Sequence, residues 1–156
     1  MFKKTALVLA MSLMAPIAAL GPTAAESAPN NQSFVRFFNR WKPTQVIHIQ
    51  NGKPEAGSVP ASFWSADWAL EEVGQYYRIR NRWKPAQVLH IQNGKLESGV
   101  AQAGWWSAQW TIEPVDDDYF RIRNRWKPDQ VLHIQNGKLE SGSAKPGWWS
   151  AQWVAH

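Results

Sequence analysis

Asn81-Arg82-Trp83-Lys84-Pro85 occurs three times in this chain, returning as Asn39-Arg40-Trp41-Lys42-Pro43 and as Asn124-Arg125-Trp126-Lys127-Pro128. The spacing is 42 residues, then 43. Outward from the motif, Tyr76–Trp110 and Tyr119–Trp153 agree at 30 of 35 positions, so whole units are repeated. A fixed period of this length is the mark of a repeat architecture. The units are 34–75, 76–118 and 119–156, joined by Gly74-Gln75 and Asp116-Asp117-Asp118. A unit of about 43 residues, with no Cys and no metal, is too small to bury its own core. The three are therefore expected to close into one domain over 34–156.

The second unit shows the local pattern. Tyr77, Ile79, Asn81 and Trp83 alternate with Arg78, Arg80 and Arg82, as in a half-buried strand. Lys84-Pro85 marks a turn. Gln87–Gln92 is a second strand, and Lys95–Ser98 a third. Asn93-Gly94 between them is a strong hairpin signal, because a type I′ turn needs positive φ at both central residues. Trp105–Ile112 reads as a fourth strand, with Trp106, Ala108, Trp110 and Ile112 on one face. Parity then sends Trp64, Trp68, Trp106, Trp110, Trp149 and Trp153 to the core. Four strands in each of three units give twelve, an all-β chain. Twelve short strands in three tandem repeats suggest a β-trefoil; a three-sided β-prism fits the same count.

Residues 1–25 have the pattern of a secretory signal peptide: a basic start at Lys3-Lys4, an apolar run over 6–20, and small residues at Thr23-Ala24-Ala25. The apolar run is shorter than the roughly 20 residues of a spanning helix. Export and cleavage near Ala25 are expected, giving a secreted or periplasmic protein with no membrane span. Residues 26–33 read as a disordered lead-in. With no Cys, disulfides, thiolate metal sites and thiol nucleophiles are excluded. The 17 Lys+Arg against 12 Asp+Glu include Lys3 and Lys4, so the rest of the chain is only mildly basic. That is not the charge of a nucleic-acid binder.

The repeat resembles the ricin B-type lectin family of β-trefoils over residues 34–156. Tyr77-Arg78-Ile79-Arg80-Asn81 looks like that family's opening strand, Leu89-His90-Ile91 sits where it has Leu-Asp-Val, and Trp110 sits at the Trp of its Gln-x-Trp motif. The chain departs from the pattern in Gln109-Trp110 and Gln152-Trp153, where Gln precedes Trp directly, and in Asp67-Trp68. The family's sugar-contacting Asp aligns with His48, His90 and His133. The resemblance implies a carbohydrate-binding trefoil.

Alternation on the Asn-Gly hairpin places His90 opposite Glu97, and Gln92 opposite Lys95, on an outward face. The same pairs recur as His48 with Glu55 and His133 with Glu140. Such a face offers donors and acceptors within one sugar width. Trp41, Trp83 and Trp126, at the strand ends, and Phe63, Trp105 and Trp148, outward in the fourth strand, are candidate flat platforms for a sugar. Each His–Glu pair also has a plain structural reading as a cross-strand polar pair. Pro54 replaces the buried Leu96, so the first unit's third strand is expected to be weaker or at an edge. Arg78, Arg80 and Arg82 form a solvated stripe that could meet anionic groups.

No phosphate loop, nucleophile elbow or metal-binding helix is present in the sequence. Ionisable groups repeated without specialisation suit multivalent binding of glycans or polysaccharide better than catalysis. The expected function is thus a secreted lectin-like protein, not an enzyme and without a cofactor. A protein-interaction trefoil, such as a protease inhibitor or an adhesion or toxin module, is the alternative. It would depend on the loops 58–62, 100–103 or 143–146.

Overall fold

A computed structural model describes residues 32–156. The signal peptide read at 1–25 and most of the lead-in at 26–33 lie outside the described residues.

Each Asn-Gly pair forms the turn its chemistry demands. Asn93 and Gly94 have φ of 50° and 72°, and Asn51-Gly52 and Asn136-Gly137 match them. These turns close three hairpins: β2 (Val46–Gln50) with β3 (Lys53–Gly57), β6 (Val88–Gln92) with β7 (Lys95–Gly99), and β10 (Val131–Gln135) with β11 (Lys138–Gly142). The register is the one expected, with Gln92 opposite Lys95, Ile91 opposite Leu96 and His90 opposite Glu97.

The other six strands form the barrel: β1 (Phe37–Asn39), β4 (Trp68–Val73), β5 (Tyr76–Asn81), β8 (Trp110–Pro114), β9 (Phe120–Asn124) and β12 (Trp153–Ala155). Antiparallel pairs β4–β5, β8–β9 and β1–β12 alternate with single contacts at Tyr77–Trp110, Phe120–Trp153 and Val35–Trp68. The last contact closes the ring. The second strands of the three hairpins pack against one another across one end. This all-β arrangement is a β-trefoil built from three tandem repeats.

Threefold equivalents fill the core. Phe37, Ile79 and Ile122, then Ile47, Leu89 and Leu132, then Trp68, Trp110 and Trp153 are all fully buried. Each of these Trp rings donates its Nε1–H to a hairpin carbonyl: Trp68 to Ile47, Trp110 to Leu89 and Trp153 to Leu132, at 2.8–2.9 Å. One side chain thus fills the barrel and holds the hairpin onto it.

The fourth strand is shorter than the alternation suggested. Trp64–Ala66, Trp106–Ala108 and Trp149–Ala151 form 3-10 turns, and β8 begins only at Trp110. Three residues per turn replace two-residue alternation. Ala108 remains buried while Trp106 rotates outward. Trp64, Trp106 and Trp149, assigned to the core by parity, are therefore 54–55% exposed.

Buried Asn side chains join the repeats. Asn81 Nδ2 donates to Ser65 O of the preceding 3-10 turn, and its Oδ1 accepts from the Trp83 and Lys84 amides, all at 3.0 Å. Asn124 does the same to Ser107, and Asn39 reaches Ser150 across the ends of the chain. The Asx turn ends the strand at Asn81, so Trp83 leaves the parity of Ile79 and is half exposed. Pro54 is buried opposite Ile49 in a β3 of full length. β3 pairs with β2 alone, as β7 and β11 pair with one strand each, and the edge position accommodates Pro.

Asn81→Ala should cost about 3 kcal/mol, because it strands a part-buried carbonyl and two part-buried amides. Urea unfolding checks this; a loss below about 0.5 kcal/mol, the level of an ordinary surface substitution, would remove the Asn joint from the account.

Candidate functional site

The His face of each hairpin is not open. The 3-10 turn of the same repeat packs across the first hairpin strand. His48, His90 and His133 are consequently only 2–3% exposed, against the expectation of an outward face. Each ring also lies against a glycine at the end of the third strand. A Cβ on Gly57, Gly99 or Gly142 would stand 3.1–3.2 Å from the ring, so glycine makes room for it. His90 Nδ1 meets Val88 O at 3.2 Å and Nε2 meets Gln92 Oε1 at 3.1 Å; His133 repeats this with Val131 and Gln135. Glu97 and Glu140 stand at the solvent edge, 3.9 Å from the ring nitrogens. The His–Glu pairs recur as read, but Gln, Glu and Lys reach solvent while His does not.

Aromatic rings from two repeats meet at the joint between the first and the second. A cavity of about 560 Å³ is lined by His48, Gln50 and Asn51 of the first hairpin, by Phe63 and Trp64 of its loop, and by Trp83 of the next repeat. Trp41, Trp83 and Trp126 are 51–52% exposed, Phe63 is 51%, and Trp105 and Trp148 are 39%. Trp83 therefore belongs with His48 and Gln50, not with His90 as the sequence order had grouped it. The last joint is closed by the ends of the domain. Arg40 N donates to Gln152 O, and the Arg40 guanidinium lies over Trp149 at 4.6 Å, placing the Trp41 turn beside the third repeat's loop.

The arginine stripe is consumed by internal contacts. Arg78 is 9% exposed and donates to Ala101 O, and its counterparts Arg36 and Arg121 hold their own loops through carbonyls. Arg80 pairs with Glu71 at 2.7 Å. Arg82 pairs with Asp67 at 2.9 Å and stacks between Trp64 and Phe34. Arg125 and Arg40 sit in the same way, each bonded to Gln109 or Gln152 and stacked between a Trp and a Tyr. This corrects the solvated stripe: opposite charges and aromatic faces within the domain, many of them from the preceding repeat, outcompete water. It also explains the residue before the core Trp, which receives the next repeat's Arg. Lys84 lies over Trp83 at 4.7 Å, and Lys42 and Lys127 are placed alike.

Sequence alternation missed Trp64, Trp106 and Trp149 as surface residues and Asn39, Asn81 and Asn124 as joints. Asn just before a Lys-Pro turn is the signal that could have found the latter. Among the described residues, no group of three or more His, Cys, Asp or Glu could hold a metal ion.

Burial lowers the pKa of His48 below the usual 6.5, opposed by a backbone hydrogen bond and the Glu55 charge. A base whose folded pKa is depressed contributes stability that is full above its unfolded value and is lost as pH falls through the folded one. Urea midpoints should fall as pH drops below about 6.5, and His48→Gln should shallow that fall. An unchanged pH profile in the variant would contradict the assignment.

The family described as ricin-type beta-trefoil lectin domain-like matches residues 67–148. No curated protein sequence matches the chain. Many solved structures match the chain, three of them as follows. A GlcNAcα1-4Gal releasing endo-β-galactosidase from Clostridium perfringens is 31% identical, with a TM-score of 0.71, over 78% of this chain and 31% of that one. The chain thus spans about a third of the galactosidase. The designed threefold symmetric protein ThreeFoil is 16% identical, with a TM-score of 0.68, over 78% of this chain and 96% of that one. SeviL, solved bound to asialo-GM1 saccharide, is 14% identical, with a TM-score of 0.66, over 80% and 97%. With more than half its length matched and the trefoil fold in place, the chain belongs to the ricin-type β-trefoil lectin domain-like family.

Proposed function

We propose that this protein is a secreted, lectin-like carbohydrate binder with up to three equivalent glycan sites, one at each joint between repeats. The observation that carries this reading is the cavity between the first and second repeats. Its size is that of a small-molecule site. Phe63, Trp64 and Trp83 supply flat apolar walls, and Gln50, Asn51, Ser62 and Ser65 supply donors and acceptors. A saccharide needs both, since it presents a C–H face and a rim of hydroxyls. Membership of the lectin family, and the saccharide bound to SeviL, support the same reading. Near-identity of the second and third repeats supports equivalent sites at the other joints, built on Gln92 with Trp105 and Trp126, and on Gln135 with Trp148 and Trp41.

Glu55, Glu97 and Glu140 are rim groups in this scheme, and the three His rings are its floor. A non-catalytic role is favoured because the same groups recur without specialisation. Export rests on the signal-like residues 1–25. Three sites on one rigid body would raise avidity for a repeating glycan by roughly 10²–10⁴ where they engage together.

A glycan array, followed by Trp fluorescence titration of each hit, tests the proposal. Trp41→Ala, Trp83→Ala and Trp126→Ala should each weaken one site by about 1 kcal/mol or more, several-fold in affinity. The exposed rings leave the fold intact, so thermal stability serves as the control. Absence of any glycan hit, or full affinity in the triple variant, would refute it.

A further inference from the structure

We infer that His90 and His133 set the hydrogen-bonding polarity of Gln92 and Gln135 at their sites: an acceptor faces the ligand when the ring is neutral, and donors face it when the ring is protonated. This rests on the glycan-site reading above for the word ligand. The coupling between ring and amide stands on geometry alone.

Each ring is held between two fixed neighbours. Val88 O can only accept, so the Nδ1 that meets it carries a proton in both states. Only Nε2 is left to change. It faces one end of the Gln92 side-chain amide. A neutral ring offers a lone pair at Nε2, and the amide then turns its NH₂ inward and its oxygen out. When solvent delivers a proton, an N–H bond forms at Nε2, which requires an acceptor. The amide then turns its oxygen inward and its NH₂ out. The two orientations have the same shape and interconvert by a half-turn of the terminal torsion, which is broad and roughly two-fold. Gln92 and Gln135 are exposed, so the outer end of the amide is presented at the surface, in the position from which Gln50 lines the first cavity.

Both signs of charge surround each ring. From the third strand, Glu97 stands 3.9 Å from Nε2. Lys95 lies opposite Gln92 in the same hairpin. The next repeat supplies Lys127, which lies over Trp126 at 4.9 Å. The third repeat has Glu140, Lys138 and, from the first, Lys42. The loop and 3-10 turn lining the equivalent first cavity bring only uncharged side chains: Val59, Ser62, Phe63, Trp64 and Ser65. Saccharides rich in acceptors, such as those bearing carboxylates or N-acetyl carbonyls, suit the donor state, and hydroxyl donors suit the acceptor state. His48 makes no bond to Gln50 among the described residues, so the first site serves as an internal control.

The test is NMR of the ¹⁵N-labelled protein without sugar, from about pH 5 to about pH 8. Long-range ¹H–¹⁵N spectra show which ring nitrogen is protonated, and the Gln side-chain amides are followed in parallel. The expected result is Nδ1–H in neutral His90 and His133, with Gln92 and Gln135 amide signals moving at the midpoint of their own rings and Gln50 flat. Neutral rings protonated at Nε2, or Gln92 and Gln135 amides that do not follow their rings, would overturn the inference. Because no sugar is present, failure of glycan binding counts against the site reading and leaves this result to decide the coupling.

Discussion

The hydrogen bond from a buried Asn side chain to the preceding repeat's Ser carbonyl is the constraint from which the rest follows. A unit of this size cannot enclose its own core. Asn81 solves that locally by holding the 3-10 turn of one repeat with Nδ2 while its Oδ1 terminates its own strand. The 3-10 turn so held carries the exposed Trp64, and the terminated strand releases Trp83. Both rings reach the same cavity because the same Asn positions both backbones. Asn39, bonded to Ser150, applies the constraint between the two ends of the domain and closes the ring.

The fold was legible where side-chain chemistry dictates backbone geometry locally. Asn93-Gly94 fixed a turn and, through it, the hairpin register. The repeat period then set strand number and closure. Legibility failed where a second geometry mimics alternation. Trp106, Ala108 and Trp110 are two apart, as on a strand, yet a 3-10 turn carries the first two. Covering was also invisible. His90 does point off the face of Leu89 and Ile91, but a segment beyond the hairpin folds over it, and no local pattern reports that. The arginines misled for the same reason: their partners Asp67 and Gln109 lie in the preceding repeat.

The candidate site was therefore half readable. Trp41, Trp83 and Trp126 are exposed as expected, as are Gln50, Gln92 and Gln135 of the hairpins. Its grouping was wrong, since proximity in sequence stood in for proximity in space. The threefold closure gives a mechanical consequence. The cavity between the first two repeats takes its floor from one repeat and one wall from the next, so in the proposed scheme a repeat alone would hold no site and binding would depend on the same joints that hold the barrel shut.

Assembly across joints is the central claim, and Trp41 tests it most directly. Arg40 bonds Gln152 and stacks on Trp149, which sets the Trp41 turn beside the third repeat's loop. With a saturating saccharide, the side-chain amides of Gln50, Gln92 and Gln135 each report one site by NMR. The account predicts that Trp41→Ala abolishes the ligand-induced shift at Gln135 and spares Gln50. Loss at Gln50 with Gln135 intact would contradict it, and would return each site to a single repeat.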